Sequence, residues 1–178
     1  MTTPQATGRP ETRQDGDWIV LTRHFNAPIE KVWAAVTDSE RLGRWIGTWR
    51  GDPASGSVTF RMTAEDGMPE EEHHIEACEP PRLLRTRARS EGLDGQDHDW
   101  RVEIRLAEDD GGTTLHFGQI LPKPEWAHDI GPGWDYYLDR LVAAETGGDV
   151  AAIDFERDYY PALLPAYQQR FPVTPEQL

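Results

Sequence analysis

The stretch Gly131–Gly148, GPGWDYYLDRLVAAETGG, constrains the fold more than any other part of the chain. Trp134, Tyr137, Leu138, Leu141 and Val142 recur at the i, i+3, i+4, i+7, i+8 spacing of one apolar helical face, while Asp135, Asp139, Arg140 and Ala143 fall elsewhere. Gly133 sits just before the first bulky residue, Trp134, and Gly147–Gly148 follow the last turn, as expected of a helix flanked by permissive backbone. A face that wide needs a broad cover. The segments upstream alternate like strands, so the economical solution is one long helix laid across one face of an antiparallel sheet. Helix and sheet then either fill the space between them with side chains or grip a small apolar molecule there.

At 178 residues the chain suits one domain with a sizeable core and a short addition. Its 18 basic and 32 acidic residues give a formal charge of −14, which repels a phosphate backbone or an anionic bilayer, so neither nucleic acid nor membrane is an expected partner. A single cysteine, Cys78, excludes an internal disulfide framework and a multi-cysteine zinc site and fits a reducing compartment. The first residues carry no apolar signal core and no long apolar run occurs, so a soluble cytoplasmic protein is expected.

Taken in order, residues 1–16 are polar and rich in Thr, Pro and Gly, the composition of a disordered tail. WIVLTRHFN (18–26) reads as a strand with Ile19, Leu21 and Phe25 on one parity. Arg23 shares that parity, and the ordinary expectation is that it sits near a strand end and reaches solvent. Pro28 opens a helix carrying Ile29, Val32, Trp33 and Val36; Asp38 or Ser39 caps a second, short one presenting Leu42 and Trp45; GTWRGDPASG (47–56) reads as a loop. Trp33, Trp45 and Trp49 are expected to pack.

Five more strand segments follow, around 57–63, 72–79, 84–88, 98–107 and 113–121. Asp66-Gly67, the loop around Gly95, and Asp109-Asp110-Gly111-Gly112 are hairpin signals, and Pro80-Pro81 separates two strands, so all six strands are expected to pair as antiparallel neighbours. On these parities Cys78 faces outward. Residues 149–171 carry too many large apolar groups for a free tail, Tyr159, Leu163, Tyr167 and Phe171 among them; a helix over about 161–170 is expected, packed on the domain or against a second subunit as a homodimer.

IVLTRHFNAPIEKVWAAVTDSERLGRW, the strand after WRGDP, EACEPPRLLRTRA, GGTTLHF and GWDYYLDRL, in that order, resemble the START-like (polyketide cyclase/dehydrase, SRPBCC) superfamily, and within it the group named after the C-terminal domain of the heat-shock ATPase activator. The resemblance covers residues 17–148. It implies an α+β helix-grip fold, a bent antiparallel β-sheet wrapped around a long C-terminal α-helix and usually enclosing an apolar cavity, to which 149–178 would add a C-terminal helical segment.

Most reactive constellations are missing from the sequence. His73 and His74 are adjacent and on a strand point to opposite faces, so the pair cannot chelate one ion; HExxH, GxSxG, GxxxxGK[ST] and GxGxxG do not occur. No metal, no cofactor and no catalytic residue is therefore assigned. What the parities do gather is an apolar wall of Phe60, Met62, Ile75, Trp100, Val102, Phe117 and Leu141, with His73, Gln119 and Tyr137 as the few polar groups able to orient a ligand. The function expected is binding of a small hydrophobic or aromatic molecule in an internal cavity, as a carrier or sensor. The alternatives are a cyclase/dehydratase-type enzyme using His73 and Tyr137 as acid and base, as the resemblance allows, and a co-chaperone-like interaction module.

Overall fold

A computed structural model describes residues 3–173. Eight strands form one sheet in the order β1-β2-β8-β7-β6-β5-β4-β3: β1 Arg9–Arg13, β2 Gly16–Phe25, β3 Gly47–Arg50, β4 Ser57–Met62, β5 Glu70–Glu79, β6 Leu83–Glu91, β7 Asp97–Asp109 and β8 Gly112–Leu121. Every neighbouring pair is antiparallel. Helices α1 (Ile29–Thr37) and α2 (Ser39–Leu42) link β2 to β3, and α3 (Ala127–Thr146) follows β8 and packs along β2. Two short helices, α4 (Phe155–Asp158) and α5 (Leu164–Arg170), complete the chain, with α5 against α3. This is the helix-grip α+β fold. Its core joins the apolar stripe of α1, the inward parity of β2, β7 and β8, and Leu138 and Leu141 of α3.

The turn chemistry explains the register. Gly112 has φ +136° and a Cβ there would lie 2.1 Å from the Phe25 carbonyl oxygen, so only glycine lets β8 start beside the end of β2. Asp38 caps α2 by accepting from the Arg41 amide at 3.0 Å, and Gly147, at φ +78°, ends α3.

The structure departs from the sequence expectations at particular places. Residues 9–13 are a strand rather than part of a disordered tail, and Ala6 and Gly8 before it are buried. Backbone groups hold that segment: Tyr167 Oη accepts from the Gly8 amide at 3.0 Å, and Arg170 donates to the carbonyls of Ala6 at 2.6 Å and Gly8 at 3.1 Å. Composition carries no sign of such bonds. The supposed loop at Gly47 begins with β3, because Trp49 lies opposite Phe60 and donates to the Thr37 carbonyl at 2.8 Å, which anchors the edge strand. Helix α3 starts at Ala127, four residues before Gly131, and carries Pro132 inside it. A bulge between Ile75 and Ala77 shifts the register of β5 against β6 and sets Cys78 opposite Leu84, while Cys78 is exposed, as its outward parity predicts. Helix α5 starts at Leu164, after a separate short helix. Of the segment expected over 149–178, residues 174–178 lie outside the described residues, as do residues 1–2 of the expected tail.

Arg23 is the largest departure. Its side chain is 11% exposed, clamped between Asp135 at 3.0 Å and Asp139 at 2.9 Å on α3. Asp135, fully buried, also accepts from the Thr7 amide at 3.2 Å, the Thr7 hydroxyl at 2.5 Å and Tyr167 Oη at 2.5 Å. Tyr159 Oη donates to Asp139 at 2.7 Å. One polar network thus fastens the N-terminal segment, β2, α3 and the C-terminal extension together. Burial first, then the adjacent carboxylates, pushes both tyrosine hydroxyls well above their ordinary range, so they stay protonated donors.

Candidate functional site

The sheet's two faces separate chemistry. On the convex face β1, β6 and β7 present arginines that interlock with acids. Glu103, 2% exposed, pairs with Arg105 at 2.7 Å, Arg13 at 3.1 Å and Arg85 at 3.2 Å. Burial alone would raise its pKa; Arg105's hydrogen bond and the three guanidinium charges outweigh that and leave it lowered. Trp18 is sealed beneath Arg13 and Arg85, whose guanidinium carbons lie 4.2 and 5.3 Å from its ring centroid, and donates to Asp15 at 3.0 Å. A depression of about 320 Å³ over this lattice is lined by charges already committed to one another.

The concave face differs. Between the β6–β7 hairpin, β8 and the first half of α3 lies a pocket of about 350 Å³. Trp100, Gln119, Ile130, Gly133, Trp134 and Tyr137 form its wall and Glu91, Gly92 and Leu93 its rim. Aromatic contacts tie the wall together: Trp134 lies 4.0 Å from Phe117 and 5.8 Å from Tyr137, and Trp100 lies 5.8 Å from Trp126, centroid to centroid. The hairpin is pinned over Trp126. A Cβ on Gly92 would come within 2.6 Å of His98 and 2.7 Å of Trp126, and beyond it His98 meets Asp94 at 2.9 Å and Lys123 meets Asp94 at 3.4 Å. Those bonds, His98's first, hold the Asp94 carboxyl down at about 2.

Three of the ten residues assigned from sequence border this pocket: Trp100, Gln119 and Tyr137. Phe117 and Leu141 are sealed behind its wall. Phe60, Met62, His73, Ile75 and Val102 are half-buried on the same concave side and outside the pocket's lining. Ile130, Gly133, Trp134 and the hairpin rim were missed. Trp134 had a signal, since it stands three residues before Tyr137 on one helical face; Ile130 had none once the helix was started too late.

The polar groups are specific. Trp134 Nε1 donates to Gln119 Oε1, and because an indole nitrogen can only donate, the amide's orientation is fixed with Nε2 as its free end. Gln119 is 92% buried, its exposure being 8%, and among the described residues no acceptor takes the Nε2 hydrogens. Tyr137 Oη donates to Glu65 and to Met62 Sδ at 3.4 Å. Burial, then Glu65, pushes its pKa far up, which keeps it a phenol. His73 sits edge-on to Phe60 at 5.3 Å, with Nε2 3.5 Å from Glu71. Tyr137 is thus engaged by Glu65, whereas His73 Nε2 is buried without a hydrogen-bond partner among the described residues.

Comparison with known proteins agrees with this architecture. Residues 26–145 match the family described as Activator of Hsp90 ATPase homolog 1-like protein. CalU16 from Micromonospora echinospora is 28% identical over 96% of this chain and 94% of its own, with a TM-score of 0.63. DynU16, a protein in the dynemicin biosynthetic locus, is 25% identical over 75% of this chain and 49% of its own, with a TM-score of 0.62. A Bordetella parapertussis protein at 24% identity, 92% and 96% coverage and a TM-score of 0.62 shares the fold. No curated protein matches the chain. No helix among the described residues is long and apolar enough to cross a membrane. A family match over well over half of the chain, on a helix-grip frame shared with these relatives, places the chain in the Activator of Hsp90 ATPase homolog 1-like family of the START-like superfamily.

Proposed function

We propose that this chain binds a small hydrophobic or aromatic molecule in the pocket between α3 and the sheet, as a carrier or sensor. The observation that carries this reading is the Gln119 amide, set in an aromatic pocket wall with Oε1 held by Trp134 and its Nε2 hydrogens taken by no described acceptor, so that they are available to a ligand's acceptor. The pocket's volume of about 350 Å³ falls within the range for small-molecule sites, and its mixture of tryptophan faces with few polar groups fits such a site. A structural relative from a biosynthetic locus, DynU16, agrees with a small-molecule role. Tyr137, held as a phenol and engaged by Glu65, is unsuited to exchanging a proton near neutrality, so binding is favoured over cyclase-type catalysis. The C-terminal extension buries Tyr159, Leu163, Tyr167 and Phe171 against its own chain, so the binding site needs no second subunit.

Trp100→Ala tests the reading. A sealed tryptophan costs about 3–5 kcal/mol on truncation; Trp100 is half-buried at the pocket, so its loss in urea melts should fall well short of that. Affinity for the neutral fluorophore diphenylhexatriene should change several-fold. A collapse in stability, or unchanged affinity in a folded variant, contradicts a role as a contact.

A further inference from the structure

We infer that the pocket selects aromatic ligands carrying a protonated amine over those carrying a carboxylate or phosphate. This rests on the binding reading above and specifies its ligand class. On the convex face Arg13, Arg85 and Arg105 are matched by acids. Around the pocket the balance differs. Neither Glu65 nor Glu71 has a Lys or Arg within ion-pair distance among the described residues, and no Lys or Arg lines the pocket.

Glu65 is bonded to the pocket's wall, and Glu71 stands farther off on the same side of the sheet, beyond the lining. Glu65 accepts from the hydroxyl of Tyr137, a wall residue, and Glu71 lies opposite Phe60 at the edge of the concave face, next to His73. The neighbouring His73, against the opposing effect of burial, keeps Glu71 below its ordinary carboxylate range and therefore ionised at neutral pH. The π faces of Trp100 and Trp134 add attraction for a cation and none for an anion. At the buried end, Gln119 Nε2 offers its hydrogens to an acceptor, which orients the ligand with its amine outward. An anionic ligand would meet Glu91 at the rim and Glu65 beside Tyr137, with no Lys or Arg in the lining to receive it.

Diphenylhexatriene, its trimethylammonium derivative and its propionate derivative share one fluorophore and differ in charge. Titrated into the full chain at low salt, the trimethylammonium probe should bind about tenfold or more tighter than the propionate, and added salt should shrink the ratio. A Glu65→Gln/Glu71→Gln variant, which keeps an acceptor for Tyr137, should bring the two charged probes within about twofold of each other. Glu30→Gln/Glu40→Gln, on α1 and α2, removes the same net charge from exposed positions and should keep the preference, which separates local selection from the overall charge of −14. Equal or tighter propionate binding, or a preference that survives in the Glu65/Glu71 variant, overturns the inference while leaving the pocket intact. Failure of all three probes to bind removes the binding reading and the inference with it.

Discussion

Asp135→Ala is expected to cost about 3–5 kcal/mol, because removing one partner of a buried ion pair strands the other. Asp135 is fully buried and takes Thr7, Arg23 and Tyr167. Without it, Arg23 keeps Asp139 alone, the Tyr167 hydroxyl loses its acceptor, and Thr7 loses the contact that seats the N-terminal segment. The damage should therefore appear twice. Urea melts should show the loss of stability, and limited proteolysis should cut near residues 3–13 and 155–171 in the variant but not in the parent. A loss below about 1 kcal/mol would mean that the network is solvated in the native state.

Trp18→Ala should be of similar size, about 3–5 kcal/mol, although Trp18 lies on the face of the sheet that sequence parity assigns to solvent. The ring is fully buried between Arg13 and Arg85, and Gly118 leaves room for it: a Cβ there would stand 3.2 Å from the ring. Truncation opens a cavity and uncovers the lattice around Glu103 at once. Trp18→Phe, which retains a ring and loses the bond to Asp15, should recover more than half of the loss. If alanine and phenylalanine behave alike, the ring's packing is not what matters.

The frame of this protein was legible because it rests on periodicity and turns. The α3 stripe, the alternation of β7 and β8, and the hairpin signals at Gly95 and Asp109–Gly112 each have one physical meaning, and the sheet forms as those signals require. What stayed hidden depends on partners far apart in sequence. Residues 3–13 look like a tail because their order comes from Tyr167 and Arg170, more than 150 positions away. Arg23 looks like a solvated cation until α3 brings Asp135 and Asp139 to it, two residues that the helical pattern placed off the apolar face. The bulge at Ile75/Ala77 leaves no mark in composition and shifts the register of β5 against β6.

The candidate site was legible in part for the same reason. Trp100, Gln119 and Tyr137 lie on elements whose inward faces periodicity identifies, and they border the pocket. Phe117 and Leu141 share those faces but lie deeper, and burial depth is not a property of alternation. The rim from Glu91 to Leu93 belongs to a hairpin that folds onto Trp126, a contact created by two segments meeting in space.

The most direct test of the pocket as a binding site is Gly133→Phe. Gly133 lies in the pocket wall, within α3, and a Cβ there meets nothing within 4 Å, so a ring can enter the space meant for a ligand without displacing the protein. Because glycine is a poor helix former, by about 1 kcal/mol relative to alanine, the variant should be at least as stable as the parent in urea. Diphenylhexatriene titrations on the same samples should show affinity reduced about tenfold or more, as expected when an occupied site excludes its ligand. A folded Gly133→Phe protein that binds the probe as tightly as the parent would contradict the account, because the probe would then be held elsewhere.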